Sequence, residues 1–328
     1  MTGIIILNWN GWEDTIECLK SLSQINDTEF FIVVADNGSI NESVSKIKAY
    51  LKGSETFDFH YISEKGQILP QTIINKSCIL YELDDNYGFA KGNNKGLEIA
   101  KKYSPDYYIL LNNDTVVEPD FLSQLISFIN KNQKYSVLTP RISYYFNKNL
   151  IWNCGGALRW GFRKYYYANK SISTIKEKSH INIGYVTGCA LFFKAALIKN
   201  EPLLTERFFH GEEDFEFSYR MRRNGIKIAC VLSSHIYHKV GVSTKELNNV
   251  GKKYTYYLLR FIDMRQQMHP LSFKLWKFVY SPYILSLLKK NGVSFSVGIN
   301  IIKRLNKEAN ELDGVTKEKF FELLNNGI

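Results

Sequence analysis

The apolar positions of this chain fall into short, separated runs. Residues 4–9 (IIILNW) and 30–35 (FFIVVA) are β-branched and aromatic, and too short for helices. They read as strands buried on both faces, the habit of parallel sheets. Between them the spacing predicts a helix over 15–23, opened by an Asp14-x-x-Glu17 capping box. A short helix over 43–51, a strand over 78–83, a helix over 90–103 and a strand over 107–111 follow. Pro119 suits the first turn of another helix. Residues 53–77 are polar without a clear period and read as an inserted hairpin or loop. Strands alternating with helices predict an α/β protein with a Rossmann-like, mostly parallel central sheet and right-handed crossovers. Further on, residues 144–167 are aromatic and glycine-bearing, which suits β-hairpins. Residues 184–194 read as a strand broken at Gly188, and 212–224 as a helix with Gly225 beyond its end. A last strand is expected over 227–232, and no internal repeat or 18-residue apolar span interrupts the pattern.

Polar residues stand where four of these strands end: Asn8 and Asn10, Asp36 and Asn37, Asp85 and Asn86, and Asn112-Asn113-Asp114. Open parallel sheets bind ligands beyond the carboxyl ends of their strands. A carboxylate such as Asp114 among short polar side chains suits a Mg²⁺ or Mn²⁺ ion carrying a diphosphate; a capped turn is the plainer reading. Asp36-Asn37-Gly38-Ser39 is equally an ordinary turn or an acid that accepts the imide N–H of uracil or thymine. Glu212-Glu213-Asp214 opens a helix, where acids complement the dipole. One of the three could instead be a general base taking the proton of a hydroxyl. His235 and His238, placed just after the last strand, read as structural or as a second metal ligand.

Seven segments in order carry a resemblance: IIILNWNG, VVADNGS, NYGFAKGNNKG, LLNNDTVVEPDFL, GYVTGCALFF, FFHGEEDFEFSYRMRRNG and HIYHKVGVST. Together they resemble glycosyltransferase family 2, inverting enzymes of the GT-A fold, in the rhamnosyltransferase-like branch. The resemblance implies a catalytic domain over 1–250, with a nucleotide-binding half at 1–115 and an acceptor half at 116–250. It places Trp9 on the nucleobase, with Leu7 and Asn8 beside it, and Asp36 on the pyrimidine N3–H. Asn86 and Lys91 match positions near ribose and diphosphate. Asn112-Asn113-Asp114 stands where the family has its DxD signature, so Asp114 would hold the metal, with Asn113 toward ribose or phosphates. Gly188 and Cys189 would lie under the donor sugar, Asp214 would be the base with Glu213 beside it, and His238 the metal-side histidine. The implied activity moves a sugar from a nucleotide-diphosphate donor, dTDP-rhamnose first among the candidates, to a saccharide hydroxyl. A catalytically inactive nucleotide-sugar-binding or scaffolding protein of the same fold is the alternative. A nucleotidyltransferase is disfavoured, because Asn8-Trp9-Asn10-Gly11 is not a Gly-rich, Lys- or Arg-bearing loop.

Charge adds a second theme. The chain carries a net +10, and the whole excess sits between residues 251 and 307, where eleven Lys and Arg face one acid, Asp263. A basic, partly amphipathic helical region over 251–328 is therefore expected, with an anionic membrane surface as its partner. That would suit a lipid-linked acceptor in surface-polysaccharide synthesis. No nucleic-acid module is present to make nucleic acid the partner. Five scattered cysteines without metal spacing, and a start that lacks a signal-peptide pattern, suggest a reduced, cytoplasmic protein, peripheral at the membrane.

Overall fold

The computed structural model describes residues 1–66, 68–198, 202–240 and 249–325; residues 241–244 of the HIYHKVGVST segment lie outside them. In the first half, β1 (Thr2–Asn8), α1 (Trp12–Ser23), β2 (Phe30–Asp36), α2 (Ser43–Lys52), β3 (Asp58–Ser63), β4 (Ser77–Glu82), α3 (Gly88–Lys101) and β5 (Tyr107–Asn112) follow one another. Strands β3, β4, β2, β1 and β5 lie side by side in that order, all parallel. The β-branched runs of β1 and β2 occupy the sheet centre, where helices on both faces remove them from water. Burial of this kind is the main favourable term in folding.

The chain continues through β6 (Thr115–Val117), α4 (Phe121–Lys131), β7 (Tyr135–Tyr144), β8 (Asn147–Asn153), β9 (Gly156–Arg159), β10 (Phe162–Tyr165), β11 (His180–Ile183), β12 (Ala190–Lys194), α5 (Glu213–Arg223) and β13 (Lys227–His238). Strand β12 joins β5 antiparallel, and β7, β13 and β11 extend the same sheet outward. Four helices close the chain: α6 (Asn249–Gln267), α7 (Pro270–Lys290), α8 (Phe295–Glu311) and α9 (Lys317–Asn325).

Several local expectations are corrected. Helix α1 begins at Trp12 without a side-chain cap, so the Asp14-x-x-Glu17 capping box does not form. Both acids pair with Lys239 instead, Glu17 at 2.6 Å, a long-range charge pairing that local spacing does not reveal. Residues 53–77 contain a fifth parallel strand, β3, at the sheet edge. Edge exposure lets its residues be half polar, which hides the strand period. The run 184–194 is a strand only from Ala190, and the segment before it bends around a cavity. Strand β13 runs six residues past 232, so His235 and His238 lie within it.

The closing helices share a hydrophobic core with Phe208, just before α5. Phe209 N donates to Val315 O at 2.9 Å, and Val315 N donates to Arg207 O at 2.8 Å. Buried charges cross the same seam. Arg207 faces Asp263 at 3.5 Å, and Glu212 pairs with Arg163 of β10 and stands 3.8 Å from Arg260 of α6. Glu212 also holds a left-handed backbone, φ 68°, costing a non-glycine residue about 1–2 kcal/mol. Its side chain is 1% exposed, so Glu212→Gln would leave two buried guanidiniums uncompensated. The expected loss is about 3–5 kcal/mol of stability, read as a lower urea midpoint. Turnover of the folded fraction should change far less than with a substitution at Asp214.

Candidate active site

Register alone assembles the first part of the site. Asn8 stands opposite Asp36 across β1 and β2, and Leu7 opposite Asn112 across β1 and β5, so three strand ends meet on one edge. Asn8 Nδ2 donates to Asp36 Oδ1 at 3.1 Å, and Ser39 N donates to Asp36 Oδ2 at 3.1 Å. Burial pushes the Asp36 carboxyl up from its ordinary range, and these donors partly oppose the shift. Trp9 projects just past β1 and is 44% exposed. Lys91 Nζ sits over the Tyr87 ring, 5.1 Å from its centroid.

Two predicted contacts are already engaged within the protein. Asn86 Oδ1 accepts from Asn37 Nδ2 and from Gly88 N, both at 2.9 Å, shaping the turn before α3. Gly88 has φ +82°, and a Cβ there would lie 2.1 Å from Phe209 O; only glycine fits. Asn113 Nδ2 donates to Gly11 O at 3.2 Å and to Thr15 Oγ1 at 3.1 Å, tying the end of β5 to α1.

The β6–β13 ladder brings the next pair together. Thr115 pairs with His238, so Asp114 in the preceding turn reaches the imidazole. His238 Nε2 is 3.1 Å from Asp114 Oδ1, but not along a hydrogen-bonding direction. That oxygen and His238 Nδ1 are buried without hydrogen-bond partners among the described residues. Burial disfavours a charged His238 ring, yet the Cys189 sulfur and Asp114 outweigh it and push its pKa up to about 10. Trp152 packs edge-on against the ring, centroids 4.4 Å apart.

A cavity of about 460 Å³ then unites Asn112, Gly188, Cys189, Glu213, Asp214 and His238. Leu7, Asn8, Trp9 and Asp36 at the neighbouring strand ends, Asn86 and Lys91 before and within α3, and Asn113 and Asp114 after β5 lie outside its lining. Asp214 is the best-directed acid. Its Oδ2 accepts from the Tyr185 hydroxyl at 2.7 Å and from Gly188 N at 3.4 Å. Burial raises its pKa, while Tyr185, Arg163 and the Gly188 N–H pull it back. Glu213 has no such donors to its buried Oε2 among the described residues. Its pKa is pushed up to about 8, by burial first and by Asp214 beside it. Of the two, Asp214 is the one with donors that favour its ionised form.

Sequence reasoning passed over Trp152, Tyr165 and Tyr185, which line the cavity. Tyr185 stacks on Phe215, centroids 4.3 Å apart and 11° between planes. The only signal was the aromatic richness of 144–167 and the YVTG stretch, which does not say where a ring points.

The family model described as Glycosyl transferase family 2 matches residues 3–200. The chain belongs to glycosyl transferase family 2. Its strand order and flanking helices are the GT-A fold, shared with solved structures of low identity. One is S. aureus TarS 1-349 in complex with UDP-GlcNAc: 14% identity, 98% of this chain and 83% of that one covered, TM-score 0.56. Another is the mannosyltransferase PcManGT from Pyrobaculum calidifontis in complex with GDP-Man and Mn²⁺: 9% identity, 94% and 86% covered, TM-score 0.56. Among curated proteins, the low-salt glycan biosynthesis hexosyltransferase Agl10 of Haloferax volcanii is 26% identical over 234 residues, 69% of this chain. The aligned part spans 62% of that relative's length.

Proposed function

We propose that this family 2 chain is an inverting transferase that moves a sugar from a nucleotide-diphosphate donor to a saccharide hydroxyl, with Asp214 as general base. One observation carries the reading. The carboxylate of Asp214 is half-buried, held by Tyr185, and faces the same cavity as Gly188, Cys189 and His238. A carboxylate so placed can take the acceptor's proton as the hydroxyl attacks the anomeric carbon. One displacement from the opposite face inverts that carbon, and no covalent intermediate is needed. Glu213, held neutral, can donate a hydrogen bond to the acceptor.

On the donor side, Trp9 stacks on the base, Asp36 accepts the base N–H, and Leu7 and Asn8 flank it through the backbone. Lys91 reaches the diphosphate. Asn86 through its side-chain oxygen and Asn113 through its side-chain nitrogen shape the two turns that bound this groove, and Asn112 floors the sugar site beside Gly188 and Cys189. Asp114, whose buried Oδ1 has no hydrogen-bond partner among the described residues, and His238, once a metal displaces its proton, would form a donor set of one carboxylate and one imidazole. That pair suits a Mg²⁺ or Mn²⁺ that takes its remaining ligands from substrate phosphates, since no three acids, histidines or cysteines converge among the described residues. Bound there, the ion would neutralise charge developing on the leaving diphosphate.

The similarity to a hexosyltransferase of glycan synthesis supports a glycan acceptor, lipid-linked in our reading, at the cytoplasmic face of the membrane. Residues 1–250 would form the catalytic unit and 251–328 a helical buttress for the loop before α5. We keep dTDP-rhamnose as first donor candidate, with UDP- and GDP-hexoses as its rivals. A nucleotide-release assay over dTDP-, UDP- and GDP-sugars, with lipid-linked and free saccharides, tests this. Donor binding without release against any acceptor would favour the inactive sugar-binding alternative.

A further prediction concerns Tyr185. Its hydroxyl donates to the ionised form of Asp214, so Tyr185→Phe should raise that carboxyl's pKa. The acid limb of the kcat/KM profile should then move to higher pH, while activity above the limb recovers. An unmoved limb would mean that Tyr185 only packs.

A further inference from the structure

Helix α7 is apolar on two opposite sides. Phe273, Trp276, Tyr280, Ile284 and Leu288 recur at helical spacing and are buried against α6 and α8. Leu271, Leu275, Phe278 and Pro282 recur at the same spacing on the far side and are exposed, the first three to 70, 57 and 78%. Phe295, at the start of α8, is 71% exposed. A surface helix ordinarily turns a polar face outward, and clustered exposed apolar side chains mark a contact surface. The charges around this surface have one sign. No Asp or Glu occurs between Pro270 and Lys307, and Lys274, Lys289 and Lys290 stand exposed along α7.

We propose that the outer face of α7, with Phe295 at its end, docks on an anionic lipid bilayer. Its apolar side chains would enter the interface and its lysines pair with lipid phosphates. No helix among the described residues is long and apolar enough to cross a membrane, and the inner half of α7 is committed to protein core. The helix therefore lies along the surface. An acidic protein partner would match the lysines but not the uncharged stripe between them.

The inner side of α7 is joined to the cavity by the β9–β10 hairpin. At its tip, Gly161 has φ +76°, and a Cβ there would lie 2.4 Å from Trp276 Nε1. Phe162 meets Tyr280 edge-on at 5.4 Å between centroids. At its base, Tyr165 lines the cavity. A membrane-bound α7 would thus hold the cavity wall in a fixed relation to the bilayer. This last point rests on the proposed transfer reaction; the docking surface does not.

The test is sedimentation of the full chain with phosphatidylcholine vesicles, with and without phosphatidylglycerol, at low and high salt. Deleting the helices is unsuitable, because they share a core with Phe208. Two variants at exposed positions are used instead: Leu275→Ser with Phe278→Ser, and Lys274→Gln with Lys289→Gln and Lys290→Gln. We expect binding only to the anionic vesicles, weakened by salt. The lysine variant should lose about fivefold per lysine, roughly 100-fold in all. The apolar variant should lose about tenfold or more. Both should keep the wild-type unfolding midpoint and nucleotide release with a soluble acceptor. Absent binding at low salt, equal binding to both vesicle types, or binding that neither variant alters would overturn the proposal. So would a wild-type dimer, seen by light scattering, that the Leu275 and Phe278 substitutions dissolve. Loss of nucleotide release with vesicle binding intact would count against the transfer reading alone.

Discussion

Asp214→Asn is expected to lower kcat by about 10²–10⁴-fold, the usual contribution of a positioned base. The amide keeps the size and planarity of the carboxylate and can still accept from the Tyr185 hydroxyl. It cannot take a proton. Donor affinity should change little if Asp214 serves the acceptor, as proposed, because the residues proposed to hold the nucleotide at the ends of β1 and β2 lie outside the cavity that Asp214 lines. Successive side chains on a helix point about 100° apart, which separates the three acids before and within the first turn of α5. Glu212 turns into the Arg163 and Arg260 pair, while Glu213 and Asp214 both line the cavity. Glu213→Gln is the informative control: a group already held neutral should lose little on becoming an amide. Single-turnover rates and donor binding, measured on all three variants, check this. If Glu213→Gln abolishes turnover and Asp214→Asn spares it, the base is Glu213.

Asp114→Ala is expected to cost roughly 10²-fold or more in turnover, as loss of a stabiliser of developing charge does. The turn itself should survive, because Lys239 N donates to the Asp114 main-chain oxygen at 3.0 Å, which alanine keeps. His238→Ala should act in the same direction. Excess EDTA should abolish activity of the wild type, and added Mn²⁺ or Mg²⁺ should restore it. Calorimetric titration of Mn²⁺ with nucleotide diphosphate gives a readout apart from turnover, and the Asp114 variant should lose that binding. Full activity in EDTA would refute the assignment.

The nucleotide half was legible along the chain because its elements are local. β1, β2, β4 and β5 are buried on both faces, so their apolar runs are unbroken and their ends are marked by Asn8, Asp36, Asp85 and Asn112-Asn113-Asp114. The parallel arrangement follows from the alternating helices. Strand β3 escaped because an edge strand half in water has no such run. The Asp14-x-x-Glu17 motif misled because a charge 222 residues beyond Glu17, Lys239, binds both acids. Candidate residues at strand ends could be named from their motifs; their distances could not. Asp114 meets His238 through the β6–β13 register, and Asp214 is distinguished from Glu213 by donors from Tyr185 and Gly188. The burial of Glu212 between two arginines, and the apolar outer face of α7, are likewise invisible in the order of residues. Chain order reports which side chains are available within a turn or a strand. Which of two neighbouring acids is ionised, and which face of a helix meets water, depend on groups that folding brings in from other elements, Tyr185 from 29 residues away and the partners of α7 from across a packed core.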